Sequence, residues 1–302
     1  MQTDGLVSIL IPSRKEVFLS KTIQDVIQKA TGNIEVIAVL DGYWPVATRR
    51  AEWHTPAIID DSRVTYIQRS KGKGMRDSIN AAAAIAKGQY LLKCDAHCMF
   101  AQGFDKILKA NIEKNWIVIP RRHRLDAEKW EIQDVGKPPI DYEFISSPSD
   151  KGIKGNKWDV RTLQRIDNPK YEIDENMSFQ GSCWFMTHSH YWDFLGGMNE
   201  FGYGTFVREA QEIGLKTWLG GGKIMTNKRT WYAHLHKGPA YGRGYFINKK
   251  EVEAGNRYCD DFWFNNRWRD PKRIHDLAWL IMQFWPVPTW SLDLVEKVKE
   301  KA

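Results

Sequence analysis

Three short stretches of this 302-residue chain carry side chains able to act together. The first is Asp95-Ala96-His97, which closes an apolar run that begins at Tyr90. In extended chain, residues two apart face the same side, so a carboxylate and an imidazole would project together from a strand's carboxyl end. Open α/β sheets bind ligands at that end, and this pair is half of a divalent-metal site. The second stretch holds Glu209 and Glu212, three apart on an expected helix and therefore on one face. The third is His234 and His236, two apart at the end of an expected strand. A basic, Gly-rich segment, Lys71-Gly72-Lys73-Gly74-Met75-Arg76, adds cations and a pliant backbone that suit phosphates. Taken singly, each feature also fits an ordinary surface: a strand-end Asp, a solvated pair of helix charges, a basic loop.

The elements that must position these groups alternate along the first half of the chain. Leu6 to Ile11 reads as a buried strand stopped by Pro12, and a helix fits Leu19 to Lys29. A strand from Ile34 to Leu40 finishes at Asp41-Gly42, and Val64 to Ile67 makes a third. An Ala-rich helix spans Met75 to Ala86, then come the Tyr90 strand, a helix near Phe104 to Glu113 and a strand from Trp116 to Ile119. Such alternation implies an α/β fold with a mainly parallel central sheet flanked by helices. Residues 121 to 176 are charged and broken by Pro and Gly, which suggests long loops or a β-excursion over one face. Order returns with a strand at Ser178 to Thr187, a helix from about Thr205 to Trp218, and strands near Lys223 to Met225 and Thr230 to His234. We divide the chain into a catalytic domain, residues 1–248, and a helical, aromatic-rich C-terminal extension, residues 249–302.

Composition narrows the partners. A net charge of +7 favours a polyanion or nucleotide substrates, and the 14 Trp suit either a large core or stacking surfaces for sugars and bases. The four cysteines (Cys94, Cys98, Cys183, Cys259) have no zinc-type spacing and no disulfide framework, which fits a reducing compartment. There is no basic-then-apolar leader at the N-terminus and no apolar run of spanning length, so a cytoplasmic protein with no membrane insertion is expected. The Walker spacing is missing from the Lys71 segment and the dinucleotide Gly fingerprint is missing after the first strand.

Taken in order, these residues resemble a family. A strand ending in Pro, a strand ending in Asp, an Ala-rich helix and Asp-X-His are followed by Glu-X-X-Glu, Trp with Gly-Gly, and a His. The pattern is similar to GT-A-fold glycosyltransferases of the broad family 2 type, above all the catalytic domain of polypeptide N-acetylgalactosaminyltransferases. Asp95-Ala96-His97-Cys98 resembles that group's Asp-Ser-His-Cys, Glu209-Ala210-Gln211-Glu212-Ile213 its Glu-Asn-Leu-Glu-Ile, and Trp218 through Gly221-Gly222-Lys223 its Trp-Gln-Cys-Gly-Gly-Lys. Counting on without a gap, His234 falls on its third metal ligand. The likeness covers roughly residues 5 to 245. It departs at the group's Ala-Gly-Gly, which is Gln180-Gly181-Ser182 here, and at a phosphate-side Arg, which falls on Gly72.

The resemblance implies a metal-dependent, UDP-sugar-using hexosyltransferase. Asp95, His97 and His234 would hold Mn²⁺ or Mg²⁺, and Glu209 would orient the donor sugar, with Glu212 beside it and Trp218 as an aromatic wall. Pro12, Asp41, Lys71, Lys73, Arg76, Gly181, Ser182 and Tyr241 would line the nucleotide-sugar site, Tyr241 from a Gly-rich lid spanning residues 236–245. It further implies retention of configuration, with the UDP phosphate taking the acceptor's proton. No lectin-like region and no anchor are read in the chain, which argues against a Golgi mucin enzyme. The basic charge and a tail that interleaves Arg and Lys with Trp and Phe favour DNA carrying hydroxymethylated pyrimidines as acceptor, in a bacterium or a virus-infected cell. A protein side chain or a bacterial surface glycan are the alternatives. From other classes come an inactive nucleotide-sugar-binding module and a non-haem iron site, the latter disfavoured by the βαβ opening.

Overall fold

A computed structural model describes residues 2–42, 57–133, 136–150, 152–237, 241 and 245–301. The first half lays down β1 (Thr3–Ser13), α1 (Leu19–Lys29), β2 (Ile34–Asp41), β3 (Val64–Arg69), α2 (Met75–Ile85) and β4 (Gly88–Cys94). Next come β5 (Cys98–Phe100), α3 (Phe104–Lys109), β6 (Trp116–Asp126) and β7 (Glu131–Ile132). The middle contributes β8 (Glu143–Ile145), β9 (Gly155–Lys157), α4 (Asp159–Arg165), β10 (Ile173–Glu175) and β11 (Cys183–Thr187). The chain continues with α5 (Glu209–Leu219), β12 (Lys223–His234), α6 (Lys249–Phe264), α7 (Leu277–Gln283) and α8 (Leu292–Lys299).

The sheet is mixed, in the order β10-β12-β6-β11-β4-β1-β2-β3. Its β1, β2, β3 and β4 pairings are parallel, as the βαβ alternation predicts, while β11 runs antiparallel between β4 and β6. Val7, Ile9, Leu10 and Ile11 of β1 and Val36, Ala38 and Val39 of β2 are fully buried. A strand covered on both faces reads as such a continuous apolar run. On the far side β12 pairs parallel with β6 on both sides of a register shift between Asn227 and Trp231, and beyond the shift it also takes β5 as an antiparallel neighbour. That bulge curls the sheet and joins the two expected strands of this region into one.

Residues 121 to 176 follow the β-excursion reading rather than loops alone. β6 runs on to Asp126, and β8 and β9 form a hairpin in which Glu143 pairs with Lys157. The tail also differs from expectation. Trp263, Trp268, Phe284 and Trp290 are at most 8% exposed and belong to the same core as the sheet. Phe284 packs on Trp218 of α5, Trp263 on Trp268 while donating to the Tyr203 hydroxyl, and Trp290 donates to Ile145 O of β8, so these four rings build core and form no stacking face for bases. No described helix is long and apolar enough to cross a membrane.

Candidate active site

The cleft lies at the carboxyl ends of β1, β2 and β4, with the start of β11 and the ends of β6 and β12 completing it. It encloses about 1180 Å³. At its centre His234 Nε2 lies 3.1 Å from His97 Nε2 and 3.2 Å from Asp95 Oδ2, and His97 Nε2 lies 3.9 Å from the same oxygen. These groups come together differently from the expected strand alternation. β4 stops at Cys94, and Asp95 to His97 form the turn into β5. Because β5 pairs with β12, Cys98 sits opposite His234 and the turn is brought against it. Asp95 is clamped at its backbone, its N–H donating to Ser182 O over 2.9 Å.

The electrostatics keep His234 and Asp95 able to donate lone pairs. Burial pushes the His234 imidazole down to about 3, against the opposing effect of its contact with Asp95, so it is neutral at ordinary pH. Burial alone would raise the Asp95 carboxyl, but the Lys93 ammonium and the two imidazoles overcome it and hold the group well below the usual range. Glu16 Oε2 lies 3.2 Å from His97 Nδ1 and also pairs with Lys237, which sets a carboxylate behind this imidazole. Two nitrogens and one carboxylate oxygen facing one another form a donor set for a borderline or hard divalent cation, and the residues fit one.

Lys93 is a residue that sequence reasoning passed over. It is fully buried, donates to Asp95 Oδ1 over 2.7 Å, to Gly181 O, and lies 3.3 Å from Glu209 Oε2. Burial would strip its proton, yet the two carboxylates keep its pKa above the ordinary value. A lysine inside the otherwise apolar Tyr90 to Cys94 run was the available signal, since a buried cation needs partners. Glu209, at the start of α5, also accepts from Trp184 Nε1 at 2.7 Å, and burial raises its pKa against the pull of Lys93. Arg14 lines the cleft as well, stacked 4.7 Å over the Tyr245 ring.

The remaining expected positions divide. Pro12, Asp41, Lys73, Gly181, Ser182 and Glu209 line the cleft. Asp41 accepts the backbone N–H groups of Lys73 and Gly74 over 2.8 and 2.9 Å, so it staples the Gly-rich loop across the end of β2. Lys71 is exposed and outside the cleft lining. Arg76 and Glu212 are corrections: both are wholly buried, paired with each other, and away from the cleft. Arg76 also donates to Val207 O and Asn199 O, while Glu212 accepts from Lys216 and from Asn199 N. A charge inside a core is tolerated only with such partners, which leaves neither group free for phosphate or sugar.

Trp218 is the third correction. It is 2% exposed, donates to Asn176 O at 3.2 Å and packs on Trp279 and Phe284, so it builds core and no wall of the cleft. Tyr241 rests on Phe18 and donates to Glu128, outside the cleft lining. The rest of the expected lid falls partly on residues 238–240 and 242–244, which lie outside the described residues. His236 stands 5.2 Å from His234, edge to face, and burial together with Arg122, Lys157 and Arg124 pushes its pKa down to about 4.

Comparison with known proteins places this architecture. The family model described as glycosyl transferase family 2 matches residues 8–190. N-acetylgalactosaminyltransferase 4 of Drosophila melanogaster is 23% identical over 230 residues, covering 71% of this chain. The chain spans about a third, 33%, of that relative's length. Among solved structures, GalNAc-T7 with UDP, GalNAc and Mn²⁺ superposes with a TM-score of 0.65 at 17% identity, over 92% of this chain and 56% of that one. Residues 1–349 of S. aureus TarS in complex with UDP-GlcNAc give 0.53 at 10% identity, over 100% of this chain and 71% of that one. Both likenesses concern the fold, which is the GT-A type.

Proposed function

The chain belongs to glycosyl transferase family 2, and we propose on that basis that its cleft takes a UDP-sugar and a divalent cation and moves the sugar to a hydroxyl acceptor with retention. The observation that carries this reading is the meeting of Asp95, His97 and His234 within 3.9 Å of one another at the floor of a cleft of nucleotide-sugar size. Asp95, His97 and His234 would hold Mn²⁺ or Mg²⁺, which would supply a Lewis acid for the donor's diphosphate. Lys93 binds Asp95 and Glu209 at once, and so fixes the distance between the metal ligand and the carboxylate that orients the sugar. Trp184 fixes the other oxygen of that carboxylate. On the nucleotide side, Pro12, Arg14 and the loop stapled by Asp41 form the wall that receives base, ribose and phosphates. Glu209, committed to Lys93 and Trp184, orients the sugar rather than attacking it, which agrees with a route that needs no protein nucleophile. Residues 1–248 form the catalytic domain in this proposal, and residues 249–302 are an extension that shares its core.

For the acceptor we propose a hydroxymethylated pyrimidine in DNA, on the support of the +7 net charge. The test is a panel of UDP-sugars with Mn²⁺ against hydroxymethyl-pyrimidine duplex, plain duplex and Ser/Thr peptides, read by UDP release and by mass. The expected result is Mn²⁺-dependent UDP release, abolished by a chelator, and a hexose or N-acetylhexosamine mass gain on the hydroxymethyl duplex alone. A gain on peptide would replace the acceptor, and UDP-sugar binding with no release under any condition would favour the non-catalytic module.

Gly181 offers a second test of the donor site. A Cβ there would stand 2.6 Å from Glu209 Oε2, closer than side-chain atoms approach. Gly181→Ala is expected to displace the Glu209 carboxylate and lower transfer roughly 100-fold, the scale of a misplacement near 1 Å. Mn²⁺ and UDP affinity should stay close to wild type, measured by calorimetry. Unchanged turnover in a folded variant would remove Glu209 from the sugar site.

A further inference from the structure

The cleft has a second charged wall, remote from the nucleotide side. In the sheet order, the β6 end stands four strand spacings from the β2 end that carries Asp41, on the order of 19 Å along the sheet. Register gathers cations there. Arg122 and Arg124 lie on β6, Arg124 beside His234 of β12, and Lys157 of β9 pairs with Glu143, which Arg122 contacts at 2.7 Å. Arg122, Lys154, Lys157 and His236 all line the cleft. Glu143 neutralises Arg122. Arg124 donates to Pro138 O at 3.1 Å, and neither it nor Lys137, Lys154 or Lys157 has an ion-pair partner among the described residues. Partial burial, then Arg124 and Arg122, lower the Lys157 pKa, with Asp159 as the opposing acid.

Like charges gathered on a cleft wall at a cost in repulsion await an anion. The cation that Asp95, His97 and His234 would hold serves the donor's diphosphate, so the anion that meets this wall comes with the acceptor. We infer that Lys154 and Lys157 form an acceptor-side subsite for a phosphodiester flanking the hydroxyl that receives the sugar. The inference rests on the glycosyltransferase reading of the same cleft and specifies its acceptor as phosphodiester-bearing. A nucleic acid strand and a polyol-phosphate chain both present that group. Each phosphate contact releases condensed counterions from such a polymer, so binding must weaken with salt in proportion to the number of contacts.

The experiment measures binding of the full chain to a 20-nucleotide oligothymidylate, poly(glycerol phosphate), polyglutamate and dextran at several salt concentrations. A separate titration follows UDP with Mn²⁺. Lys154→Ala/Lys157→Ala is compared with wild type and with Lys299→Ala/Lys301→Ala, a control at and just past the end of α8. At least one phosphodiester polymer is expected to bind wild type, and the tighter of the two names the source. The cleft variant should lose about ten-fold in affinity and about two in the salt slope, one for each lysine removed. The control should match wild type, and UDP with Mn²⁺ should bind all three alike. Equal binding of polyglutamate, equal binding of dextran, or an unchanged affinity in the cleft variant would each overturn the subsite while leaving the donor site standing. Failure of UDP with Mn²⁺ to bind wild type would instead strike the glycosyltransferase reading, and the polymer arms would still decide the subsite.

Discussion

Replacement of His234 by alanine is expected to cut sugar transfer by a factor of 1,000 or more while leaving the fold intact. The magnitude follows from a Lewis acid being worth several kcal/mol of charge stabilisation, with each 1.36 kcal/mol a factor of ten. His234 sits at the end of β12 with one ring nitrogen facing both Asp95 and His97. Its other nitrogen has no hydrogen-bond partner among the described residues, so truncation orphans no donor that the fold depends on. Calorimetry with Mn²⁺ should show wild type binding one equivalent and the variant losing at least ten-fold in affinity. Wild-type Mn²⁺ affinity in the variant would remove His234 from the set. The companion substitution Asp95→Asn should behave alike for the metal, and it also releases Lys93, whose remaining carboxylate partner is Glu209.

The second large effect falls on stability. Glu212→Ala leaves the Arg76 guanidinium in a fully buried site with its ion-pair partner gone. Breaking a buried pair from one side costs about 3 to 5 kcal/mol, because an uncompensated charge stays in the core. For a chain of this size that corresponds to a drop in Tm of roughly 10 °C, readable by calorimetry. Arg76→Met/Glu212→Leu together should recover much of the loss, since a well-packed apolar pair often equals a buried ion pair. The kinetic readout separates the two roles assigned to this pair. A merely structural pair leaves KM for the UDP-sugar near wild type at a temperature where the double variant is folded, whereas the phosphate-binding role expected from the sequence would raise KM strongly.

How far the sequence reached can be stated residue by residue. The alternation of apolar runs with Ala-rich and amphipathic helices determined the parallel half of the sheet, because a strand buried on both faces and a crossover helix each leave a periodic trace in the chain. The same trace put Pro12, Asp41, Asp95 and the Gly-rich loop at strand ends, where the cleft lies. Chemistry-bearing types at matching spacing picked out Asp95, His97 and His234, three residues that the structure brings into contact. Spacing on a helix was less informative. Glu209 and Glu212 share a face by period, yet one meets the cleft and the other the core, since α5 has residues buried on all sides. A Trp beside a Gly-Gly turn carries no mark of whether its ring faces solvent, sugar or another helix, so Trp218 was placed by packing alone. Tertiary structure also decided the turn that brings Asp95 and His97 against His234, the bulge in β12 that curls the sheet, and the hairpin that sets Lys157 near Arg124. The β5–β12 and β6–β12 pairings join segments far apart in the chain, while the β8–β9 hairpin is local but takes its place from the contact of Glu143 with Arg122 on β6. Pairing energy belongs to surfaces that meet only after the chain has folded, whereas periodicity belongs to each segment by itself.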